Sequence, residues 1–130
     1  MISKISLQET IQKTTSGEIS PVDLVEYSYE KIEKHNPSLN AIVSLKKKSL
    51  VIKEVESLFK KKNNEQKLLF GIPLAVKDLF DVKDLPTTFG LSKFKNNIAK
   101  KNSILVDRLI NQGALVLGKT NIPELALGSH

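Results

Sequence analysis

The sequence predicts an α/β chain, in which N-terminal helices are followed by the first βαβ unit of a mixed sheet. In the first half of the chain, apolar residues recur three and four positions apart, which indicates amphipathic helices. In the second half, two short apolar runs flank a segment with helical spacing, which indicates two parallel strands joined by a helix. We divide the chain into a helical segment, 1–66, and the start of an α/β core, 67–130.

The first helix is predicted over residues 6–16. Ser6 and Glu9 are three positions apart and form a capping box, in which each side chain bonds the backbone N–H of the other. Gly17 is placed to end the helix, because glycine adopts the left-handed conformation that follows many helices.

The second helix is predicted to begin with Ser20 as N-cap and Pro21 at the first helical position. We expect it to end before His35-Asn36-Pro37, since the residue before a proline avoids the helical region. The apolar run Leu39–Leu45 that follows is predicted as a strand or an extended connection. Four apolar side chains have helical spacing in this second helix: Val22, Val25, Tyr29 and Ile32.

A third helix is predicted from about Lys46 to Lys61, with one apolar face and lysines on the other. Residues 60–64 read as a solvated polar linker because they are all lysine or asparagine. The apolar face is formed by Leu50, Val51, Val55, Leu58 and Phe59.

The C-terminal half predicts a βαβ unit. A strand over 71–78 is followed by an irregular segment, 81–102, which contains proline and glycine and has little periodicity. A helix over 103–112 and a second strand over 114–117 complete the unit, so the two strands should be parallel.

Composition excludes several kinds of site. Cysteine is absent, which removes disulfides, thiolate nucleophiles and cysteine-ligated metals, and the two histidines, His35 and His130, are too few for a histidine-rich metal site. No apolar run reaches the length of a membrane span or signal peptide, so we expect a cytoplasmic protein without a membrane partner. The net charge of +6 comes almost wholly from lysine, with Arg108 as the one arginine, which argues against base-specific nucleic-acid binding.

Residues 113–120, GALVLGKT, match the phosphate-loop pattern but in the wrong structural context. That motif requires a strand before the first glycine and a helix beginning at the lysine. Here a helix precedes Gly113, the intervening residues form the strand itself, and Pro123 disfavours a helix after Lys119. We therefore do not expect nucleotide binding.

Lys77 is the candidate catalytic residue. It lies at the carboxyl end of the strand in FGIPLAVKDLF, where ligands and chemistry collect in open α/β sheets. Strand alternation places Leu74 and Val76 on one face, and Ala75 and Lys77 on the other. A lysine held in such a strand is a candidate general base, whereas the alternative is an ordinary solvated charge.

Three segments in order, GIPLAVKDLFDV, LPTTFG and GALVLGKTNIPELALGSH, resemble the N-terminal part of the amidase signature family. The resemblance implies hydrolysis or transfer of a carboxamide nitrogen by a serine nucleophile, a serine in a cis peptide bond and a lysine, and the lysine matches Lys77. As a neutral base it would need a pKa lowered from about 10.4 to roughly 7–8. Desolvation in the strand is the expected cause, with Asp78 turned to the other face.

The resemblance is incomplete. The family's two serines lie in a Gly/Ser-rich segment of the type GGSSGG, which this sequence lacks, and Ser92, Ser103 and Ser129 are not in that context. We expect an incomplete part of the amidase signature fold, inactive as a fragment, whose origin as a gene fragment, a degraded gene or a partial record stays open. Two sheet strands with one crossover helix should leave the apolar faces of 71–78 and 114–117 exposed, and the chain marginally stable or prone to aggregate.

Two other functions stay open beside an amidase acting on a small linear amide. One is the A subunit of glutamyl-tRNA amidotransferase, the one reading that implies a nucleic-acid partner; the other is a non-catalytic interaction module. The family resemblance implies no cofactor and no metal, and homo-oligomer formation is left open.

Overall fold

A computed structural model describes residues 5–60 and 67–128. Four α-helices and three β-strands are present in this part of the chain, with short 3-10 turns at Ser92–Phe94 and Glu124–Ala126. In chain order the elements are α1 (Leu7–Thr15), α2 (Pro21–Leu39), β1 (Ile42–Leu45), α3 (Lys48–Lys60), β2 (Pro73–Lys77), α4 (Ile104–Asn111) and β3 (Leu115–Thr120).

The three strands form one mixed sheet in the order β1-β3-β2. β2 and β3 are parallel, as predicted for the βαβ unit, and α4 lies between them in the chain. β1 pairs with β3 in the antiparallel sense. The sequence predicted either a strand or an extended connection over Leu39–Leu45, and in the structure Ile42–Leu45 is a strand.

Helices pack on both faces of the central strand β3. Leu115 and Leu117 point to one face, where they join a cluster formed with α2 and α3. On the other face, Val116 packs with Val76 of β2, with Val82 and with Val106 of α4. The molecule is therefore a three-layer arrangement, and two separate apolar clusters stabilise it by burial. The helical residues buried in the first cluster are Val25, Tyr29, Val51 and Val55.

This layering corrects the expectation that the strands would be exposed. Leu115, Val116 and Leu117 are 1%, 1% and 4% exposed, because α2 and α3 cover one face of the sheet and α4 the other. β2 lies at the edge of the sheet and is only partly buried, with Val76 as its one buried residue.

The predicted capping box and the predicted terminating glycine of α1 are both confirmed. Ser6 and Glu9 form the capping box, and the hydrogen bond from the Ser6 backbone N–H lowers the pKa of the Glu9 carboxyl. Gly17, just past the end of the helix, has φ +79°, which is the left-handed conformation that the prediction assigned to it.

The predicted end of α2 is wrong. The start at Ser20 and Pro21 is as expected, but the helix continues through Pro37 and ends at Leu39, with Asn40 in the left-handed conformation at its C-cap. Asn36 explains the extension. Its side chain holds the following strand by accepting from Ile42 N at 2.7 Å and donating to Ile42 O at 2.9 Å.

α3 begins two residues later than predicted, and its apolar face is narrower. Val51 and Val55 are fully buried, whereas Leu50 and Phe59 are 49% and 55% exposed. The predicted polar linker falls mainly within residues 61–66, outside the described residues.

The predictions for α4 and for the irregular segment are confirmed, whereas β3 continues three residues past its predicted end at Leu117, to Thr120. α4 has Ser103 as its N-cap and is followed by Gly113 at φ +92°. The segment 81–102 contains no helix or strand apart from one 3-10 turn and an isolated bridge between Pro86 and Ile98. The residues between Gly113 and Lys119 form a strand, not a phosphate loop, in agreement with the rejected nucleotide-binding motif.

Candidate active site

Lys77 is the last residue of β2, at the carboxyl end predicted for it, and its side chain is exposed. Its carbonyl accepts from Phe80 N at 3.1 Å, which begins the turn out of the strand. Among the described residues no hydrogen bond or ion pair involves its amine. The expected desolvation of Lys77 is therefore not provided by residues 5–60 and 67–128, whereas the neighbouring Asp78 is 1% exposed on the other face.

A bulge in β3 determines where the second lysine of the site points. Leu74 of β2 pairs with Val116, but the next residue, Ala75, pairs with Gly118, so β3 carries one extra residue. Strict alternation would have placed Lys119 on the face opposite Val116. The bulge reverses that alternation and turns Lys119 toward the face that α4 covers.

Lys119 and Asp78 form an ion pair in the interior. Lys119 Nζ and Asp78 Oδ1 are 2.9 Å apart, and the two side chains are 0% and 1% exposed. The ammonium also donates to Pro86 O at 3.1 Å and to Thr87 Oγ1 at 3.2 Å. A lysine has three donors, so all of them are satisfied, as the burial of a charge requires.

The Asp78 carboxylate connects the strand end to the following loop. Thr88 donates to it twice, from the backbone N–H at 3.2 Å to Oδ1 and from the hydroxyl to Oδ2. The same hydroxyl accepts from Gly90 N at 3.2 Å, and Phe89 N donates to the Asp78 carbonyl at 3.2 Å. Residues 86–90, which we call the threonine loop, are thus attached to the carboxyl end of β2.

The threonine loop also packs closely on the segment after β3. Phe89 and Gly90 have φ +55° and +74°, and a Cβ on Gly90 would lie 2.8 Å from the Ile122 carbonyl oxygen. The Phe89 carbonyl accepts from Leu125 N at 2.7 Å. At position 90, only glycine permits both this backbone conformation and this approach without strain.

Close backbone contact also explains Gly118 in the centre of the sheet. A Cβ at this position would lie 2.1 Å from the Ser44 carbonyl oxygen of β1. The glycine lets the two strands approach at the irregular pairing, and the following residue, Lys119, can then reach Asp78.

The other residues considered from sequence lie apart from this arrangement. Ser92 opens a 3-10 turn, and the Ser103 hydroxyl accepts from Val106 N as a helix cap. His35 is exposed near the end of α2, and Ser129 and His130 lie outside the described residues. Within 5–60 and 67–128 there is no group of His, Cys, Asp or Glu that could hold a metal ion. No helix in this same part of the chain is long and apolar enough to cross a membrane.

The sequence predicted the position of Lys77 at the strand end but not the burial of Lys119 in an ion pair. A lysine within the apolar run ALVLGKT was available as a signal, because a charge in a buried strand requires a partner. The rejected phosphate-loop match drew attention to Lys119 without identifying Asp78 as its partner.

Comparison with known proteins assigns the family. A family model described as Amidase matches residues 23–130. The chain belongs to the amidase family. The mixed α/β fold agrees with this assignment: an amidase family protein from Bacillus anthracis superposes with a TM-score of 0.83 at 26% identity, covering 95% of this chain and 25% of that one. The native peptide amidase of Stenotrophomonas maltophilia gives a TM-score of 0.80 at 26% identity, covering 94% and 26%.

Relatives of this amidase-family chain include an acylamidase and an amidotransferase subunit. An acylamidase from Rhodococcus erythropolis is 38% identical over 122 residues, which are 92% of this chain and 25% of the relative. The A subunit of the mitochondrial glutamyl-tRNA(Gln) amidotransferase of Homo sapiens is 36% identical over 126 residues, or 95% and 24%. The chain spans about a quarter of the length of the curated relatives it matches.

Proposed function

We propose that this chain is the N-terminal part of an amidase that hydrolyses the C–N bond of a linear carboxamide, with Lys77 as the proton acceptor. The observation that carries the proposal is the position of Lys77. It lies at the carboxyl end of a parallel strand of the family's fold, with an exposed amine and no bonding partner among the described residues. A base needs such access to the group whose proton it accepts.

The complete reaction needs groups from outside this chain. In the proposed mechanism Lys77 takes the proton of a nucleophilic serine through a second serine in a cis peptide bond, and the acyl-enzyme is then hydrolysed by water. By the family resemblance, both catalytic serines would lie in a Gly/Ser-rich segment that this sequence lacks, and Ser92 and Ser103 serve as turn and cap. That polypeptide would also supply the apolar cover that a neutral lysine needs. The chain alone is expected to be inactive.

A chimera tests this function. Residues 5–128 replace the matching quarter of the Rhodococcus acylamidase, and ammonia release from simple amides is measured in the absence of tRNA and ATP. We expect a folded, active chimera that loses about a hundredfold or more in rate with Lys77→Arg, because arginine keeps the charge but cannot act as a base. Lys53→Arg, on the exposed side of α3, is the matched control and should leave the rate unchanged.

The chimera also separates the alternatives. Full activity of a folded Lys77→Arg chimera would contradict the catalytic role. Activity of the unmodified chimera only with tRNA and ATP would favour an amidotransferase, the alternative suggested by the similarity to the human A subunit. A non-catalytic interaction module instead predicts a stable 1:1 complex with a protein partner that forms equally well with Lys77→Arg.

A further inference from the structure

We propose that Asp78 and Lys119 are positioning residues, whose ion pair, together with Thr88, fixes the register at the carboxyl end of β2 so that the Lys77 side chain points to solvent. This proposal rests on the proposed function of Lys77. Neither charge of the pair has a bonding contact with the Lys77 amine, so both would act through the backbone of the strand and the threonine loop.

The pair is hard to explain by stability alone. Burying two charges costs free energy that their attraction often does not recover, and apolar residues of similar size stabilise a core at least as well. Here the pair lies on the same face as an apolar cluster that includes Val76, the β2 residue paired with Lys119, and Val116. Every donor of the Lys119 ammonium is satisfied, and only one arrangement of the strand and the threonine loop satisfies all of these bonds. The ion pair therefore specifies that one arrangement.

Strand alternation links this specificity to Lys77. Adjacent residues of a strand point to opposite faces, so a slip by one residue would bury Lys77 and expose Asp78. Five bonds oppose that slip: Asp78 N donates to Thr120 O at 3.1 Å, Phe89 N donates to Asp78 O, and the carboxylate accepts one bond from Lys119 and two from Thr88. Holding Asp78 inward therefore holds Lys77 outward.

The pairing also occupies the carboxylate that lies next to Lys77 in the chain. An unpaired Asp78 would turn out of the apolar layer toward water, where the nearest cation along the strand is Lys77. A bond between these neighbours would take the Lys77 amine out of the open position that a proton acceptor requires. Lys119 removes that competitor by binding Asp78 on the opposite face.

The test uses the purified 130-residue chain and two measurements that do not involve amide hydrolysis. The first is hydrogen exchange of the Phe89 amide, which reports attachment of the threonine loop, compared with the Leu115 amide, which is bonded to Ile72 O in the sheet. The second is the acylation rate of Lys77 by an amine-reactive ester at fixed pH, divided by that of Lys53 in the same sample.

Two pairs of variants separate positioning from stability. Lys119→Met leaves Asp78 buried without its partner and can prevent folding, so Asp78→Asn/Lys119→Met is its neutral, similarly shaped companion. Thr88→Val removes the hydroxyl bond to Asp78 while keeping the shape of the side chain, and Thr88→Ser restores the hydroxyl.

For Thr88→Val, and for Lys119→Met if it folds, we expect Phe89 exchange about tenfold faster with Leu115 unchanged. In Lys119→Met, where Asp78 has lost its partner, the Lys77 acylation ratio should fall about threefold as the carboxylate competes for the amine. Thr88→Ser, and the double variant in which no carboxylate remains at position 78, should keep the wild-type ratio. The proposal is overturned if hydrogen exchange of both amides accelerates by the same factor while the Lys77 acylation ratio keeps its wild-type value, because the pair would then only stabilise the fold. It is also overturned if neither the exchange rates nor the acylation ratio changes. The chimera tests the amidase function independently, so the two failures are distinguishable.

Discussion

Tyr29 joins α2 to the connection between β1 and α3 through one polar atom. Its side chain belongs to the apolar cluster, at 3% exposed, and its hydroxyl donates to the Lys46 carbonyl oxygen at 2.7 Å. Burial, with a smaller contribution from the Glu54 carboxylate, raises the pKa of Tyr29 to about 12. The neutral hydroxyl is therefore the form that the folded chain favours.

This shift predicts a loss of stability at alkaline pH. The pKa in the folded chain lies above the unfolded value of about 10, so the contribution of Tyr29 is complete below pH 10 and is lost as the pH rises toward 12. We expect Tyr29→Phe to reduce the free energy of unfolding by about 1 kcal/mol at pH 7 through the lost hydrogen bond. The deficit should shrink between pH 10 and 12.

Urea denaturation at several pH values measures this difference. Lysines that titrate in the same range affect both proteins alike, so the comparison with the variant isolates Tyr29. Tyr27→Phe, at the other tyrosine, is the control and should track the wild type. A deficit for Tyr29→Phe that stays constant from pH 8 to 12 would contradict the pKa shift.

The two lysines of the site show what can be predicted for a single residue. The position of Lys77 was predictable because an apolar strand run ends on it, and alternation correctly separated it from Asp78. The same alternation fails at Lys119, because the bulge in β3 changes the face and a bulge has no reliable sequence signal apart from Gly118. The ion pair, formed by residues 41 positions apart, was therefore not predictable.

At the scale of elements, local signals predicted starts better than ends. The caps at Ser6, Ser20 and Ser103 are as the sequence indicated, since capping depends on residues within one turn. The end of α2 was wrong because the rule for the residue before proline is a local preference. The bonds of Asn36 to Ile42 override it, and they form only when β1 is in place.

The corner between α2 and β1 gives a prediction for Asn36. Its side chain makes both bonds to the Ile42 backbone, and its carbonyl accepts from Asn40 N at 2.7 Å at the helix end. We expect Asn36→Ala to lower the free energy of unfolding by about 2 kcal/mol, because two half-buried backbone groups lose their partners. Chemical denaturation checks this value.

Asn96→Ala is the control for that substitution. Asn96 is exposed in the irregular segment and its side chain makes no hydrogen bond with the described residues, so the free energy of unfolding should change by less than about 0.5 kcal/mol. An equal effect of the two alanine substitutions would show that the Asn36 bonds do not stabilise the corner.

For the whole molecule, the sequence predicted the class of fold but not how the two faces of the sheet are covered. The parallel βαβ unit was readable from two apolar runs and the helix between them. The third strand was not assigned to the sheet, because pairing of β1 with β3 joins residues far apart in the chain. With β1 at one edge and helices on both faces, the central strand is covered without any further polypeptide.

The exposed apolar surface therefore lies in a different place from the one expected. A cleft of about 800 Å³ opens beside α3, between β1 and the turn around residues 82–85. Leu45 and Leu50, at 39% and 49% exposed, lie on its wall with the half-buried Leu85, and charged residues of both signs complete the lining. Apolar surface of this kind, open to water in a small domain, favours dye binding and self-association.

We predict that the 130-residue chain binds an apolar fluorescent dye through this cleft and self-associates at high concentration. Leu50→Asp should reduce both dye fluorescence and light scattering severalfold, because the carboxylate makes the wall of the cleft costly to bury. Leu39→Asp is the matched control: Leu39 is 67% exposed at the end of α2 and does not line the cleft, so the substitution adds the same charge without altering the wall.

Similar effects of the two substitutions would assign the association to net charge rather than to the cleft. A monomeric wild-type chain that binds no dye and unfolds in one sharp thermal transition would contradict the prediction altogether, since the layers around β3 would then suffice for an independent domain.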